Sequence, residues 1–266
     1  MKTIFDIGLH EGCDAEFYLE KGFRVIAVEA NPELASTVRM RLAAQIASGQ
    51  LVVLTKAIAE RSGMSISFYV RPEKNGWSSI YQDLAERDGV ASTRVDVETV
   101  TIGDLFAEFG PPYYLKCDIE GADPIVLAQI AASPVRPRFV SVEIPGDGGG
   151  MIDLLADAGY SHFQLVNQSY LSLSRPPNPP REGAYVTMRS PGKMSGLFGE
   201  ELKPNYWVTE DKIRGQLCRW QDLASGEIGS IRRFLLRKYG KWTGRTWLIG
   251  RGWMDIHARL DDRQVA

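Results

Sequence analysis

The residues best suited to chemistry are carboxylates and a histidine that lie close to glycine turns. Glu29 follows a short apolar run and lies twenty-one residues after Gly8. A carboxylate at the end of the second strand of a βαβ unit can accept hydrogen bonds from both hydroxyls of a ribose. The first turn also carries His10, and the later apolar run 113–117 is followed by Asp118. The sequence therefore predicts a nucleoside site beside groups that can take up a proton.

The glycine turn indicates which kind of nucleoside ligand this site would bind. A dinucleotide site requires G-x-G-x-x-G, and here those three positions hold Gly8, His10 and Cys13. A histidine where the pyrophosphate would pass argues against a nicotinamide oxidoreductase. The pattern formed by Asp6, Gly8 and Gly12 suits a ligand without phosphates, such as S-adenosylmethionine. The alternative is a glycine turn that only closes a βαβ unit.

The elements that must position these residues form an α/β, doubly wound, Rossmann-like sheet. Apolar runs at 4–7 and 25–28 are short enough to be buried parallel strands, and an amphipathic stretch between them ends at Gly22. This is a right-handed βαβ unit. Further strands are predicted at 51–54, 113–117 and 139–144, and an antiparallel C-terminal hairpin at 160–167 and 184–188.

An insertion at about residues 64–102 interrupts this pattern. Residues 65–70 and 97–102 alternate polar and apolar, which predicts a half-exposed antiparallel pair joined by a long polar loop. The loop contains Trp77, Ser78 and Ser79. The serine pair either lies near the cofactor, or the tryptophan covers the base of its own loop.

Several segments resemble the FkbM family of S-adenosylmethionine-dependent methyltransferases over about residues 3–170. These segments are Asp6-Ile7-Gly8, Glu11-Gly12, Val28-Glu29-Ala30-Asn31-Pro32, the K-x-D-I-E-G signature in Tyr114-Leu115-Lys116-Cys117-Asp118-Ile119-Glu120-Gly121, and PRFVSVE at 137–143. One departure is Leu9-His10, where many members have Ala-Asn. The resemblance implies an O-methyltransferase of class I type that uses S-adenosyl-L-methionine and releases S-adenosylhomocysteine.

Position and resemblance together predict the cofactor-binding residues. Ala57 follows the third strand, where the adenine would lie, although ordinary packing at the strand end is the alternative there. The predicted set is Asp6, Gly8, Glu11, Gly12, Glu29, Ala30, Asn31, Ala57, Ser78, Ser79 and Asp118.

The predicted catalytic residues are His10, Asp118 and Glu143. Asp118 is expected near the transferred methyl group, with His10 or Glu143 as the base. Alternatively, His10 is a turn residue bonded to backbone, and Glu143 pairs with a cation such as Lys116. Together with Glu120, the two carboxylates could hold magnesium or calcium, but their spacing does not favour a metal site.

Composition sets bounds on class and partners. A net charge of −2 over 266 residues gives no general attraction to nucleic acid or anionic membranes. Three cysteines fit a reducing compartment, and no apolar run reaches the ~18 residues of a membrane span. The first strand begins at Thr3, which leaves no room for a signal peptide, so a cytoplasmic location is expected. The expected partner is a small-molecule or glycan acceptor.

The predicted division is a methyltransferase domain at 1–190 and an aromatic, basic extension at 191–266, helical in part and packed on the core. Residues 231–239 predict a basic amphipathic helix that ends at Gly240. Its basic side is either a solvated face of a packed helix or a surface for a membrane or partner. A homo-oligomer through this region is possible. An inactive scaffold that uses it is the alternative function.

Overall fold

The computed structural model describes residues 1–144, 148–189 and 193–261. The chain divides into two compact units, Met1–Arg138 and Phe139–Ala266. Each unit has its own buried apolar residues.

The first unit alternates strands and helices. In chain order its elements are β1 (Thr3–Ile7), α1 (Cys13–Glu20), β2 (Arg24–Val28), α2 (Pro32–Arg41), α3 (Ala43–Ala47), β3 (Leu51–Leu54), β4 (Ala57–Ile58), β5 (Ser65–Val70), α4 (Gln82–Ala85), β6 (Thr93–Val100), α5 (Ile102–Phe109), β7 (Tyr114–Cys117) and α6 (Asp123–Ala132).

The central strand of this unit is β1, which pairs in parallel with β2 and with β7, while β2 pairs in parallel with β3. Ile7 is opposite both Val28 and Cys117, so the three strands end level. Gly8, Glu29 and Asp118, the residues that follow, therefore meet at one carboxyl edge.

An antiparallel pair lies in the insertion, but its second strand is Thr93–Val100 rather than 97–102, because α5 begins at Ile102. Strand β5 pairs antiparallel with β6, and β4 completes a three-stranded sheet of order β4-β6-β5. Residues 71–92 connect β5 to β6 and are called the inserted loop. They contain a 3-10 helix at Pro72–Trp77 as well as α4.

The second unit has three strands and three α-helices in its described part. They are β8 (Phe139–Glu143), α7 (Gly149–Asp157), β9 (His162–Asn167), α8 (Glu210–Ser225), α9 (Ser230–Thr243) and β10 (Met254–Arg259). Strand β10 lies between β8 and β9 and is antiparallel to both.

The strand that pairs with β9 differs from the prediction. Residues 184–188, all of them described, are not in a strand; the antiparallel partner of β9 is β10, from near the end of the chain. Residues expected to form an extension therefore supply a strand of the sheet. The division into a domain at 1–190 and an extension at 191–266 stays a prediction.

The fold class is the predicted one. The first unit has parallel strands in the order β3-β2-β1-β7, and the second has strands in the order β8-β10-β9 with β10 antiparallel to both neighbours. None of the helices in the described ranges is both long and apolar enough to cross a membrane.

Candidate functional site

The residues that meet at the carboxyl edge of β1, β2 and β7 form the candidate site. Asp6, Gly8, Glu29, Lys116 and Asp118 are called the cradle here. All five belong to the first unit, and each is placed by the end of a parallel strand.

The turn after β1 requires glycine for a reason that the sequence does not reveal. Gly8 has φ +88°, and its N–H donates to the carbonyl of Val28 at 3.0 Å. A Cβ on Gly8 would overlap the backbone carbonyl of Asp118. The glycine is therefore needed for close approach of two strand ends. His10 and Gly12 also have positive φ, and Gly12 caps α1.

The carboxylate of Glu29 is buried and held in place by backbone. Its Oε2 accepts from the N–H of His10 at 2.7 Å, and its Oε1 accepts from the N–H of Asn31 at 2.8 Å. Burial raises the pKa of Glu29, and these two hydrogen bonds oppose that rise. Each oxygen keeps a second lone pair, so the carboxylate can still accept two hydroxyls.

Asp6 lies beneath this edge and forms a buried ion pair. Its side chain has no solvent exposure, and Oδ1 lies 3.4 Å from Nζ of Lys116. Burial raises the pKa of Asp6 to about 7, although Lys116 opposes the rise. Lys116 Nζ also donates to the carbonyl of Gly8 at 2.7 Å and lies 3.9 Å from Oδ2 of Asp118. Asp6 therefore holds a lysine that fixes the first turn.

Asp118 is the partly exposed carboxylate of the cradle, and a buried acid shapes the turn that follows it. Oδ1 of Asp123 accepts from the N–H of Ile119, and Oδ2 accepts from the N–H of Gly121 at 3.2 Å. Burial raises the pKa of Asp123. The Asp118 side chain is 43% exposed, so it can reach a ligand at this edge.

Three polar contacts connect the inserted loop to these turns. Nε2 of His10 lies 2.7 Å from Oδ1 of Asn75, and the hydroxyl of Ser79 donates to the carbonyl of Glu120 at 2.7 Å. Arg87 forms an ion pair with Glu120 at 2.9 Å. Burial raises the pKa of Glu120, and Arg87 opposes the rise. The inserted loop thus lies against the turns after β1 and β7.

The tryptophan of the inserted loop is covered by the loop itself. Lys74 Nζ lies 3.9 Å from the centroid of the Trp77 ring, and the guanidinium of Arg87 lies 4.0 Å from it. The Ser78 hydroxyl accepts from the N–H of Arg71 at 3.0 Å. Both predicted serines therefore make structural hydrogen bonds, and their contact with a cofactor stays a prediction.

Ala57 and Ala30 are placed by packing. Ala57 is buried with Phe68 and Val97 in the core of the three-stranded sheet, and Ala30 packs against the same cluster. Ala57 therefore uses its side chain for packing. Its proposed backbone contact with an adenine stays a prediction.

Asn31 and Glu11 serve the ends of helices. The Asn31 side chain accepts from the N–H of Glu33 at 3.0 Å and so caps α2, while the carbonyl of Glu11 accepts from Arg41 at 2.5 Å. Asparagine is one of the preferred residues at this helix position. The structure adds that its own N–H orients Glu29.

The third predicted catalytic residue belongs to the second unit. Glu143 is the last residue of β8 and is opposite Asp255 of β10. The cation suggested as its alternative partner, Lys116, has its ion pairs with Asp6 and Asp118. A role for Glu143 as a base stays a prediction.

Sequence reasoning missed three residues that hold the site together. Lys116 carried a usable signal, because a lysine inside a predicted buried strand needs a buried partner. Asp123 stands just after the turn that follows β7, and its position gives only a weak indication that it holds this turn. Asn75 lies 65 residues from His10 and has no local pattern that would pair them.

Two other features bear on ligands. In the parts of the chain that the structure describes, no three His, Cys, Asp or Glu residues are grouped to hold a metal ion. A cavity of about 440 Å³ lies within the second unit and is lined in part by Arg175, Arg181, Tyr206, Arg245 and Trp247. None of the residues predicted for the site lines it.

The family model for the methyltransferase FkbM domain matches residues 6–161. The chain belongs to this family. The match begins at Asp6 of the cradle and includes Glu29 and Asp118, so the residues that carried the resemblance lie within the FkbM domain. No curated protein matches the chain.

Three methyltransferases of known structure are similar to the chain. The FkbM methyltransferase from Methylobacillus flagellatus KT is 14% identical, with 62% of this chain and 40% of that chain covered and a TM-score of 0.41. Precorrin-6y C5,15-methyltransferase from Geobacter metallireducens GS-15 is 12% identical, with 62% and 66% covered and a TM-score of 0.37. A SAM-dependent methyltransferase from Geobacter sulfurreducens, in complex with S-adenosyl-L-homocysteine, is 11% identical, with 98% and 85% covered and a TM-score of 0.34. The chain thus spans under two thirds of the length of the first two.

Proposed function

We propose that this FkbM-domain protein binds S-adenosyl-L-methionine in the cradle and methylates a hydroxyl of a sugar, glycan or secondary metabolite. The observation that carries the proposal is Glu29. Glu29 is only 7% exposed at the tip of β2, and two backbone N–H groups fix both oxygens of its carboxylate. A buried acid fixed in this way suits a ribose diol.

The residues present fit an adenosyl cofactor. Glu29 would accept the two ribose hydroxyls. Asp118, partly exposed at the same edge, would face the part of the ligand that reacts. When bound, the cofactor supplies a methyl group on a cationic sulfur.

The residues of this chain then have to align the acceptor and take its proton. An alcohol oxygen that gains a methyl group must lose its hydrogen to a base. Oδ1 of Asn75 can only accept a hydrogen bond, so Nε2 of His10 carries the proton in this arrangement and Nδ1 is the basic nitrogen of the neutral ring. His10 through Nδ1, or Asp118, is our candidate base, with Glu143 as a further candidate.

The cofactor site is tested by calorimetry with S-adenosylmethionine. Glu29→Ala should weaken binding by about 1–3 kcal/mol, the scale for hydrogen bonds lost to a charged group. Glu33→Ala is the matched control, since it removes a neighbouring acid that the site does not use. An unchanged dissociation constant in Glu29→Ala would contradict the assignment. A wild-type protein that does not bind would favour the inactive scaffold.

Transfer of a labelled methyl group to a panel of sugars and small alcohols tests the reaction. Once an acceptor is found, His10→Ala and Asp118→Asn should each slow its methylation. Full activity in both variants would exclude these two residues as the base. Loss of activity with a strong chelator would show that a metal takes part.

A further inference from the structure

Helix α9 carries a row of large apolar side chains that faces solvent. Ile231, Phe234, Leu235, Tyr239 and Trp242 repeat at spacings of three and four, so they lie on one side of the helix. Ile231 is 78% exposed and Trp242 is 83% exposed. A row of this kind normally packs against a core. Its exposure here requires an explanation.

The opposite side of α9 is the side that packs. Gly240 is buried, and a Cβ there would press on the carbonyl of Arg245 and on Leu248. Arg237 donates to the carbonyl of Ile249 at 2.8 Å. At about 100° per residue, Gly240 lies roughly opposite Ile231 on the helix. The helix thus uses its smallest residue for packing and keeps its apolar row outside.

The charges of α9 indicate what could cover that row. The helix contains Arg232, Arg233, Arg237, Lys238 and Lys241 and no acid, whereas the whole chain has a net charge of −2. Arg237 lies on the packed side, so two copies packed through the apolar row would bring Arg232, Lys238 and Lys241 of each copy together, which opposes self-association. A negatively charged surface with an apolar interior complements both properties of the helix.

We propose that α9 binds the surface of a membrane that contains anionic lipids. Its apolar row would enter the boundary between headgroups and acyl chains, and its cations would contact lipid headgroups. Trp242 and Tyr239 suit this depth, because amphipathic rings favour the membrane–water boundary. The proposal is independent of the proposed reaction, since it concerns a helix of the second unit that contributes no cradle residue.

The test is cosedimentation of the full chain with vesicles. Phosphatidylcholine vesicles are compared with vesicles that also contain phosphatidylglycerol. We expect binding to the anionic vesicles that weakens at high salt, with little binding to phosphatidylcholine alone. The fluorescence of Trp242, identified by loss of the signal in Trp242→Phe, should shift to shorter wavelength on binding.

Two sets of substitutions separate the apolar and the charged contributions. The double substitution Phe234→Ser with Leu235→Ser should reduce partitioning of the protein onto anionic vesicles at least tenfold. Arg232→Gln with Lys238→Gln and Lys241→Gln should reduce it on the order of 100-fold, since each cation near an anionic surface contributes roughly fivefold. The matched controls are Tyr185→Ser and Arg219→Gln, which change exposed residues of the second unit outside α9.

Each outcome decides the proposal. Binding that falls in both α9 sets but not in the controls supports it. Absence of binding, or equal binding to neutral and anionic vesicles, overturns it. A concentration-dependent dimer that Phe234→Ser with Leu235→Ser abolishes would also overturn it, because the face would then belong to a second copy.

Discussion

The cradle and helix α9 reverse the usual distribution of residue types. In the cradle, charged groups are buried: Asp6 and Lys116 form a pair with almost no exposure, and Glu29 is held by backbone. In α9, large apolar side chains are exposed and the buried residue is a glycine. Buried charge and exposed apolar surface are both unfavourable unless something compensates for them.

The difference between the two regions lies in where the compensation is found. In the cradle it is internal, because each buried charge has a partner within the first unit. The exposed row of α9 is not compensated within the described chain, so its proposed partner is external. Substitutions in the cradle should therefore lower the free energy of unfolding. Substitutions in α9 should weaken binding to its external partner and leave the free energy of unfolding nearly unchanged.

The largest expected effect comes from a pair of glycines with similar backbone. Gly8 has φ +88° and Gly244, at the C-terminus of α9, has φ +76°. A Cβ on Gly8 meets the rigid carbonyl of Asp118, whereas a Cβ on Gly244 meets the flexible end of Lys203 at 2.7 Å. Gly8→Ala should therefore lower the free energy of unfolding by about 4 kcal/mol or more, and Gly244→Ala by about 1–2 kcal/mol.

Urea titration of both variants measures this difference. It also separates two explanations of the glycine at position 8. If Gly8→Ala is as stable as Gly244→Ala and loses only cofactor binding, Gly8 serves the ligand rather than the approach of β1 to β7.

A second comparison uses two lysines. Lys116→Met would leave the carboxylate of Asp6 buried without its cation, so it should destabilise the protein by about 3–5 kcal/mol. Lys238→Met in α9 removes an exposed charge and should change stability by about 0.5 kcal/mol or less. Thermal and urea unfolding of the two variants give the values. Equal losses would show that α9 is a structural part of the second unit.

Local patterns were enough to predict most of the cradle. The apolar runs, the positions of Gly8 and Gly12, and an acid just after the second strand lie within thirty residues, so propensity and spacing describe them. Asp118 follows from the same rule applied to a later strand. The FkbM resemblance named the family from the same residues.

What sequence reasoning missed depends on distant partners or on packing. Strand β10 pairs with β9 across 87 residues between Asn167 and Met254, and no short pattern encodes that choice. Residues 184–188 have strand-forming side chains, but they are not part of a strand in the described structure. Helix α9 was expected to end at Gly240. It continues to Thr243 because Gly240 provides close packing and Gly244 provides the left-handed end.

The two units also contain buried titratable groups with opposite effects on stability. Burial raises the pKa of Asp6 from 3.8 to about 7, so between these values the folded state binds more protons than the unfolded state. Its contribution to the free energy of unfolding therefore falls as pH rises through that window. Burial lowers the pKa of His257, in β10, from 6.5 to about 3, so its contribution rises with pH between about 3 and 6.5.

These opposite signs predict two difference curves. The stability of Asp6→Asn minus that of wild type should increase from about pH 4 to pH 7, by at most ~1.4 kcal/mol per pH unit. The stability of His257→Gln minus that of wild type should decrease with pH over its own window. Urea unfolding at half-unit steps of pH measures both curves. A flat curve for Asp6→Asn would show that Lys116 keeps Asp6 ionised across this range. The attraction between the two charges would then outweigh the effect of burial on the pKa of Asp6.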